Sequence, residues 1–209
     1  MIIEASIFEQ IPVGDQKNFS YLFAEKTSRN AAIFDPAWDL PLLLSRIEYN
    51  ELKLQVIVNT HAHFDHIEGN EELKRLTGAR VIMHKSSRET KDQGVSDGDE
   101  IKLGKETIMK FIHTPGHTPE SMCIQLDQFG LVTGDTLFIG ECGRVDLKGG
   151  DANLMYDSLE KLKALDPRLV VYPGHDYGAK KSTSLKEQIE SNYTLAKRSR
   201  QEFLKFMKD

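Results

Sequence analysis

The 209-residue sequence predicts an α/β fold, and three observations carry that reading. Short apolar runs of strand character alternate with longer segments of helical spacing along the whole chain. Gly, Pro, Asn and Asp stand between the two kinds of segment, where turns need them. Residues able to bind metal fall just beyond the carboxyl ends of several strand-like runs. No Ser/Pro-rich linker and no repeat interrupts the pattern, so a single domain over residues 1–209 is expected.

The first third reads strand, strand, strand, helix. Residues 2–8, 19–24 and 31–34 have strand character, Asp35-Pro36 ends the third run, and residues 40–49 have helical spacing. Residues 54–58 form a buried-type strand, followed by a helix over 71–77 that Gly78 closes. Strands are then expected at 80–83, 107–112, 122–126 and 130–133. Asp151 can cap a helix reaching Ala164, and 168–172 is a final strand. Ser184 and Glu187 have the spacing of a capping box that opens a last helix running to Phe206. Its apolar stripe, from Leu185 through Phe203 to Met207, suits core packing, with a homodimer contact as the other use of the same face.

A hydrophobic content of 39% is enough for a core in a chain of this length. The formal net charge of -5, without a long basic block, argues against capture of nucleic acid or an anionic membrane. The expected partner is a small molecule. The start of the chain lacks the basic and apolar blocks of a secretion signal, and no apolar run approaches membrane-spanning length. With Cys123 and Cys142 as the only cysteines, a disulfide framework is not expected, and the plain reading is cytoplasmic.

The stretch Thr60-His-Ala-His-Phe-Asp-His66 places His61, His63, Asp65 and His66 directly after the 54–58 run. His117, Asp135 and His175 each follow another predicted strand, and Gly116, Gly134 and Gly174 directly precede them. Loops leaving one edge of a sheet system can converge on a single cleft, with the strands keeping it rigid. Imidazole and carboxylate donors suit borderline divalent cations, and seven such donors are enough for two ions completed by water. The reading assigns His61, His63 and His117 to one metal and Asp65, His66 and His175 to the other. Asp135 bridges them, since one carboxylate can span cations about 3.5–4 Å apart. Asp65 is also the candidate catalytic residue. Two divalent ions, two carboxylates and a hydroxide leave a balance of about +1, which favours an anionic substrate. His84 and His113 adjoin strand ends without such a motif and are expected to be structural or to support the donors.

On these residues the chain resembles the metallo-β-lactamase superfamily over nearly its whole length, with His-Ala-His-Phe-Asp-His as the most specific motif. The resemblance implies a four-layer αββα sandwich with the metals at one edge. Asp135 is unlike true β-lactamases, so antibiotic hydrolysis is not expected. Gly134-Asp-Thr-Leu-Phe138 and Cys142-Gly-Arg144 resemble glyoxalase II, the hydroxyacylglutathione hydrolase, which implies substrate-binding roles for Arg144 and Tyr177. Asp146 stands where that enzyme has a tyrosine, and the 34 residues after His175 are too few for the helical domain of its long form. Cys142-Gly-Arg-Val-Asp146 and Tyr172-Pro-Gly-His-Asp-Tyr177 resemble both persulfide dioxygenases and the short glyoxalase II-like hydrolases. Glu120 stands where relatives usually carry glycine, and Cys142 is a candidate pocket-lining residue.

The leading expectation is therefore a metal-dependent hydrolase that uses a metal-bound hydroxide on a small anionic thioester, with two zinc ions, or iron or a mixed zinc/iron pair. The alternative is a glutathione persulfide dioxygenase with one Fe(II) held by His61, His117 and Asp135, a two-histidine, one-carboxylate set. A third reading is a non-catalytic metal-binding protein. It fits less well, because closed structural zinc sites are rich in Cys.

Overall fold

The computed structural model describes residues 6–105, 107–127 and 129–208. Residues 2–5 of the first expected strand lie outside that range. One six-stranded sheet runs β1 (Ser6–Val13), β2 (Asn18–Glu25), β3 (Asn30–Phe34), β4 (Lys53–Val58), β5 (Arg80–His84), β6 (Gln93–Val95) in spatial order. The second contains β7 (Glu100–Lys102), β8 (Ile108–His113), β9 (Met122–Leu126), β10 (Gly130–Gly134), β11 (Val170–Pro173) and β12 (Thr183–Ser184), again in sequence order. Strands β3, β4, β5 and β6 run parallel to one another, as do β10 and β11, and the remaining pairs are antiparallel. Parallel neighbours send their carboxyl ends to the same edge, and the loops carrying the metal-capable residues leave there.

The two-residue period of a strand explains the layering. Strand β2 is buried along its whole length. Phe19, Tyr21 and Phe23 point into the space between the sheets, against Met109, Phe111 and Ile124 of the second sheet. Leu22 and Ala24 point the other way, against Leu43 and Ile47 of α1 (Leu40–Tyr49) and Leu73 of α3 (Asn70–Thr77). On the second sheet's outer face, Cys123, Leu131 and Val171 meet Met155, Leu159 and Leu162 of α4 (Ala152–Lys163). Helices thus cover both sheets, and the order of layers is αββα. Each large apolar side chain buried in this way contributes about 1.5–3 kcal/mol.

Helix ends follow the local chemistry. Asp151 accepts from the N–H groups of Asn153 and Leu154 at the start of α4, and Gly78 takes the left-handed conformation (φ 74°) after α3. The expected long C-terminal helix is corrected. It breaks into α5 (Leu185–Ser191), a 3-10 turn (Tyr193–Leu195) and α6 (Arg200–Phe206). Asn192 leaves helical geometry (ψ 116°) because its side-chain amide donates to the carbonyls of Phe138 and Glu141 while its oxygen caps the 3-10 turn. Ser199 and Glu202 then form a complete capping box that starts α6. Among the described residues no helix is long and apolar enough to cross a membrane.

Candidate metal centre

Strand β4 ends at Val58, and the chain turns through Thr60 into α2 (Phe64–Ile67), a single helical turn that carries Asp65 and His66. His61 and His63 precede that turn, so the motif splits its donors between an extended segment and a helix. His117, Asp135 and His175 arrive from loops after β8, β10 and β11 of the other sheet. Two glycines allow the approach. Gly134 adopts φ 48°, with the Thr60 side chain packed where a Cβ would stand, and a methyl on Gly174 would overlap Asp135 Oδ1.

All seven expected donors come together. His61, His63 and His117 form one set and Asp65, His66 and His175 another, with the ligand atoms inside each set within 4.8 Å of one another. Asp135 lies between them. Its Oδ2 is 3.5 Å from His117 Nε2 and 3.4 Å from His175 Nε2, and its Oδ1 is 3.4 Å from His66 Nε2. His84 and His113 lie outside both sets, stacked on each other with ring centroids 3.9 Å apart.

Hydrogen bonds on the far side of four of the rings set their orientation. The Nδ1–H of His117 donates to the Arg144 carbonyl (2.8 Å), and that of His175 donates to the Gln16 carbonyl (3.0 Å). His66 Nδ1 lies 3.0 Å from Asp35 Oδ2, and a carboxylate can only accept. Thr60 Oγ1 donates to the same carboxylate and therefore accepts from His61 Nδ1 (3.1 Å). Four imidazoles are thereby left with Nε2 facing inward. His63 differs, presenting Nδ1 at 3.0 Å from the Nε2 atoms of both His61 and His117. Asn18 orients the remaining carboxylate, its amide donating to Asp65 Oδ2 (3.0 Å).

Sequence reasoning missed two of these supports. Asp35 reads as a strand terminator, yet its buried carboxylate also accepts from the Thr60 backbone N–H (2.7 Å). Asn18, likewise buried, stands at the start of β2 with no motif around it. The Asp35-Pro36 pair before a helix was the one available signal for the first.

The electrostatics favour cations. Burial lowers the His66 pKa, but the carboxylates of Asp135, Asp35 and Asp65 more than offset this and lift it to about 9. Burial would raise the Asp135 carboxyl, and His66, His175 and His61 outweigh it, holding the group far below the ordinary carboxylate range. Burial pushes His61 well down, and the neighbouring imidazoles add to that. The donor set fits divalent ions on two independent grounds. Inward ring nitrogens face one another at about 3 Å, where one proton per pair is the most they can share. Asp135 Oδ1 is buried without a hydrogen-bond partner.

A cavity of about 620 Å³ opens beside His117 and Asp135. Arg144, Tyr177 and Cys142 all line it. The Tyr177 ring lies parallel to that of His175, with centroids 4.7 Å apart. Arg144 turns its guanidinium to Asp146, Nε to Oδ1 and Nη2 to Oδ2 at 2.7 Å each. Burial pushes the Cys142 thiol up to about 12, so it is not a nucleophile at neutral pH.

Fold and site together define a metal-binding αββα sandwich. The chain belongs to the metallo-beta-lactamase superfamily, whose match spans residues 13–175. It is similar to hydroxyacylglutathione hydrolase of Pelagibacter ubique, with 36% identity over 165 residues, covering 78% of this chain and 68% of that one. It is also similar to the mitochondrial persulfide dioxygenase ETHE1 of Homo sapiens, with 34% identity over 193 residues, covering 90% and 75%. Among solved structures, ETHE1 from Myxococcus xanthus superposes with a TM-score of 0.92 at 32% identity, covering 97% of this chain and 90% of that one.

Proposed function

We propose that the chain is a metal-dependent hydrolase of small thioesters, of the hydroxyacylglutathione hydrolase type, working in the cytoplasm. The observation that carries this reading is the presence of two complete donor sets with Asp135 between them. His61, His63 and His117 would hold one ion, Asp65, His66 and His175 the other, and Asp135 would touch both. Divalent ions in that position lower the pKa of water from about 15.7 toward about 7 and add positive charge for a developing oxyanion. The protein's part is orientation and exclusion. Asp35, Thr60, Gln16 and Arg144 hold the imidazoles through their outer nitrogens. Asn18 keeps the Asp65 carboxylate turned inward, and Tyr177 shields one face of His175. Their shared rigidity means that little reorganisation is needed as charge develops.

A persulfide dioxygenase is the second reading, favoured by the extent of the likeness to the Myxococcus xanthus protein. There His61, His117 and Asp135 would hold a single iron. One experiment separates the two. Metal content is measured in protein isolated without added metal, and thioester cleavage and oxygen uptake with glutathione persulfide are assayed in parallel. About two equivalents of metal with thioester cleavage supports the hydrolase, whereas about one iron with oxygen consumption supports the dioxygenase. Asp135→Ala should lose metal and turnover together. Full activity with unchanged metal content would overturn the shared role of Asp135.

A further inference from the structure

We propose that Glu120 is a positioning residue for the first donor set: by accepting from the Ala62 N–H it fixes the His61–His63 segment against the loop of His117 and so places the His63 ring. This rests on the two-ion reading above, in which His63 is a ligand.

The donors of the first set come from two loops on different sheets. His61 and His63 follow β4, and His117 follows β8. Two of the three rings have an outer hydrogen bond, His61 to Thr60 and His117 to the Arg144 carbonyl. His63 has none among the described residues, since both of its contacts are made inward by Nδ1, to His61 and His117. A half-buried imidazole on an extended segment keeps its rotamer freedom unless something outside the ring restrains it. For His63 that restraint falls to the backbone on which it stands.

The Ala62 N–H lies between the two rings of the segment, and its acceptor is Glu120 Oε1 at 3.3 Å. Nearby, the Met122 N–H donates to the Thr60 carbonyl at 2.9 Å. Residues 60 with 122 and 62 with 120 have the spacing of an antiparallel ladder, with a carboxylate standing in for a backbone carbonyl at the second rung. Glu120 follows His117 by three residues, so one bond couples the two loops of the set. The carboxylate is half-buried, and a bond from a backbone N–H to an ionised oxygen is stronger than one to a neutral acceptor.

The turn that carries Glu120 is itself held on both sides. Ser121 Oγ accepts from the Thr118 N–H (3.1 Å), and the Ser121 carbonyl accepts from the Thr114 N–H (2.9 Å). The Nε2–H of His113 donates to the Pro119 carbonyl (2.9 Å), and His113 stacks on His84. Glu120 also needs no left-handed backbone, so alanine or glutamine can replace it without strain at that position.

The test compares wild type with Glu120→Ala and Glu120→Gln. Glutamine keeps an acceptor oxygen at the same reach, and alanine removes it. Protein stripped of metal is titrated with Zn2+ in competition with a chromophoric chelator. Glu120→Ala should weaken one of the two equivalents by about tenfold and leave the other in place, and Glu120→Gln should stay within about threefold of wild type. The thermal midpoints of the three metal-free proteins should coincide, which separates this effect from a general loss of stability. Unchanged affinity in Glu120→Ala, an equal loss at both ions, or a glutamine variant as weak as the alanine one overturns the proposal. NMR of the His63 ring in metal-free protein gives a reading independent of the ions. Wild type and Glu120→Gln should show one sharp set of ring signals, and Glu120→Ala should show them broadened by exchange. If wild type takes up a single equivalent of metal, the two-ion reading fails, and the ring signals still decide for or against Glu120.

Discussion

Asp35 Oδ2 lies 3.0 Å from His66 Nδ1 and 2.7 Å from Thr60 Oγ1, and Thr60 in turn holds His61. One buried carboxylate thus orients an imidazole in each donor set. Asp35→Asn keeps the shape but offers a single acceptor oxygen to three donors. Metal affinity should fall by about 10–100-fold, as it does when such outer partners are removed elsewhere. Competition against a chromophoric chelator measures this, and an unchanged affinity would show that the rings are held by packing alone.

Removing metal should cost stability as well as activity. The donors of both sets are distant in sequence, so the unfolded chain has no assembled site. An ion at about 100 times its Kd adds about 2.7 kcal/mol. For a chain of this length that corresponds to a fall in Tm of roughly 5–10 °C per ion on chelation. Calorimetry with and without chelator would show it, and coincident transitions would mean that the ions bind folded and unfolded chains alike.

Gly174→Ala should damage the site without touching a donor. The added methyl overlaps Asp135 Oδ1 and sits 3.0 Å from His66 Cε1, so the loop after β11 must shift. A stability loss of about 1–3 kcal/mol is expected, together with reduced metal stoichiometry. Wild-type metal content in this variant would show that the loop has room the packing does not suggest.

His84 gives a pH dependence separate from the metal donors. Burial, then the stacked His113 and Lys85, lower its pKa from 6.5 to about 4, while Glu120 and Asp97 partly oppose this. Between those values the unfolded chain binds a proton that the folded chain refuses. The contribution is therefore fully present above pH 6.5 and is lost as pH falls toward 4. His84→Gln removes this titration, so the denaturant midpoints of variant and wild type should converge between pH 7 and 4.5, whereas a constant gap would refute the assignment.

The seven donors were legible because each one stands beside a turn glycine or within a dense cluster after an apolar run. The α/β class followed from the alternation of strand-like and helical segments, and the αββα layering from the family resemblance, since β2 is buried on both faces and shows no alternation of its own. What escaped depends on contacts between distant segments. Asp35 meets Thr60 only because β3 and β4 pair in parallel, a register that local spacing does not encode. The turn at Asn192 exists because carbonyls of Phe138 and Glu141 lie within its reach, some fifty residues earlier in the chain. Strands β6 and β7 have three residues each, too few for a period to show. By contrast, the Ser184–Glu187 spacing was read and does open α5, whereas the same spacing at Ser199 and Glu202, which starts α6, lay unread inside the apolar stripe.

Asn18 pairs with His175 across the mouth of the cluster, and the N–H of Phe19 donates to the Gly174 carbonyl at 2.8 Å. The first sheet supplies the donors from His61 to His66, and the second supplies His117, Asp135 and His175. Under the two-ion reading, neither half therefore carries a full donor set by itself. During synthesis His175 leaves the ribosome only after the other donors have emerged, so on that reading ion capture would be a late seal on the docking of the two halves and a reporter of their assembly.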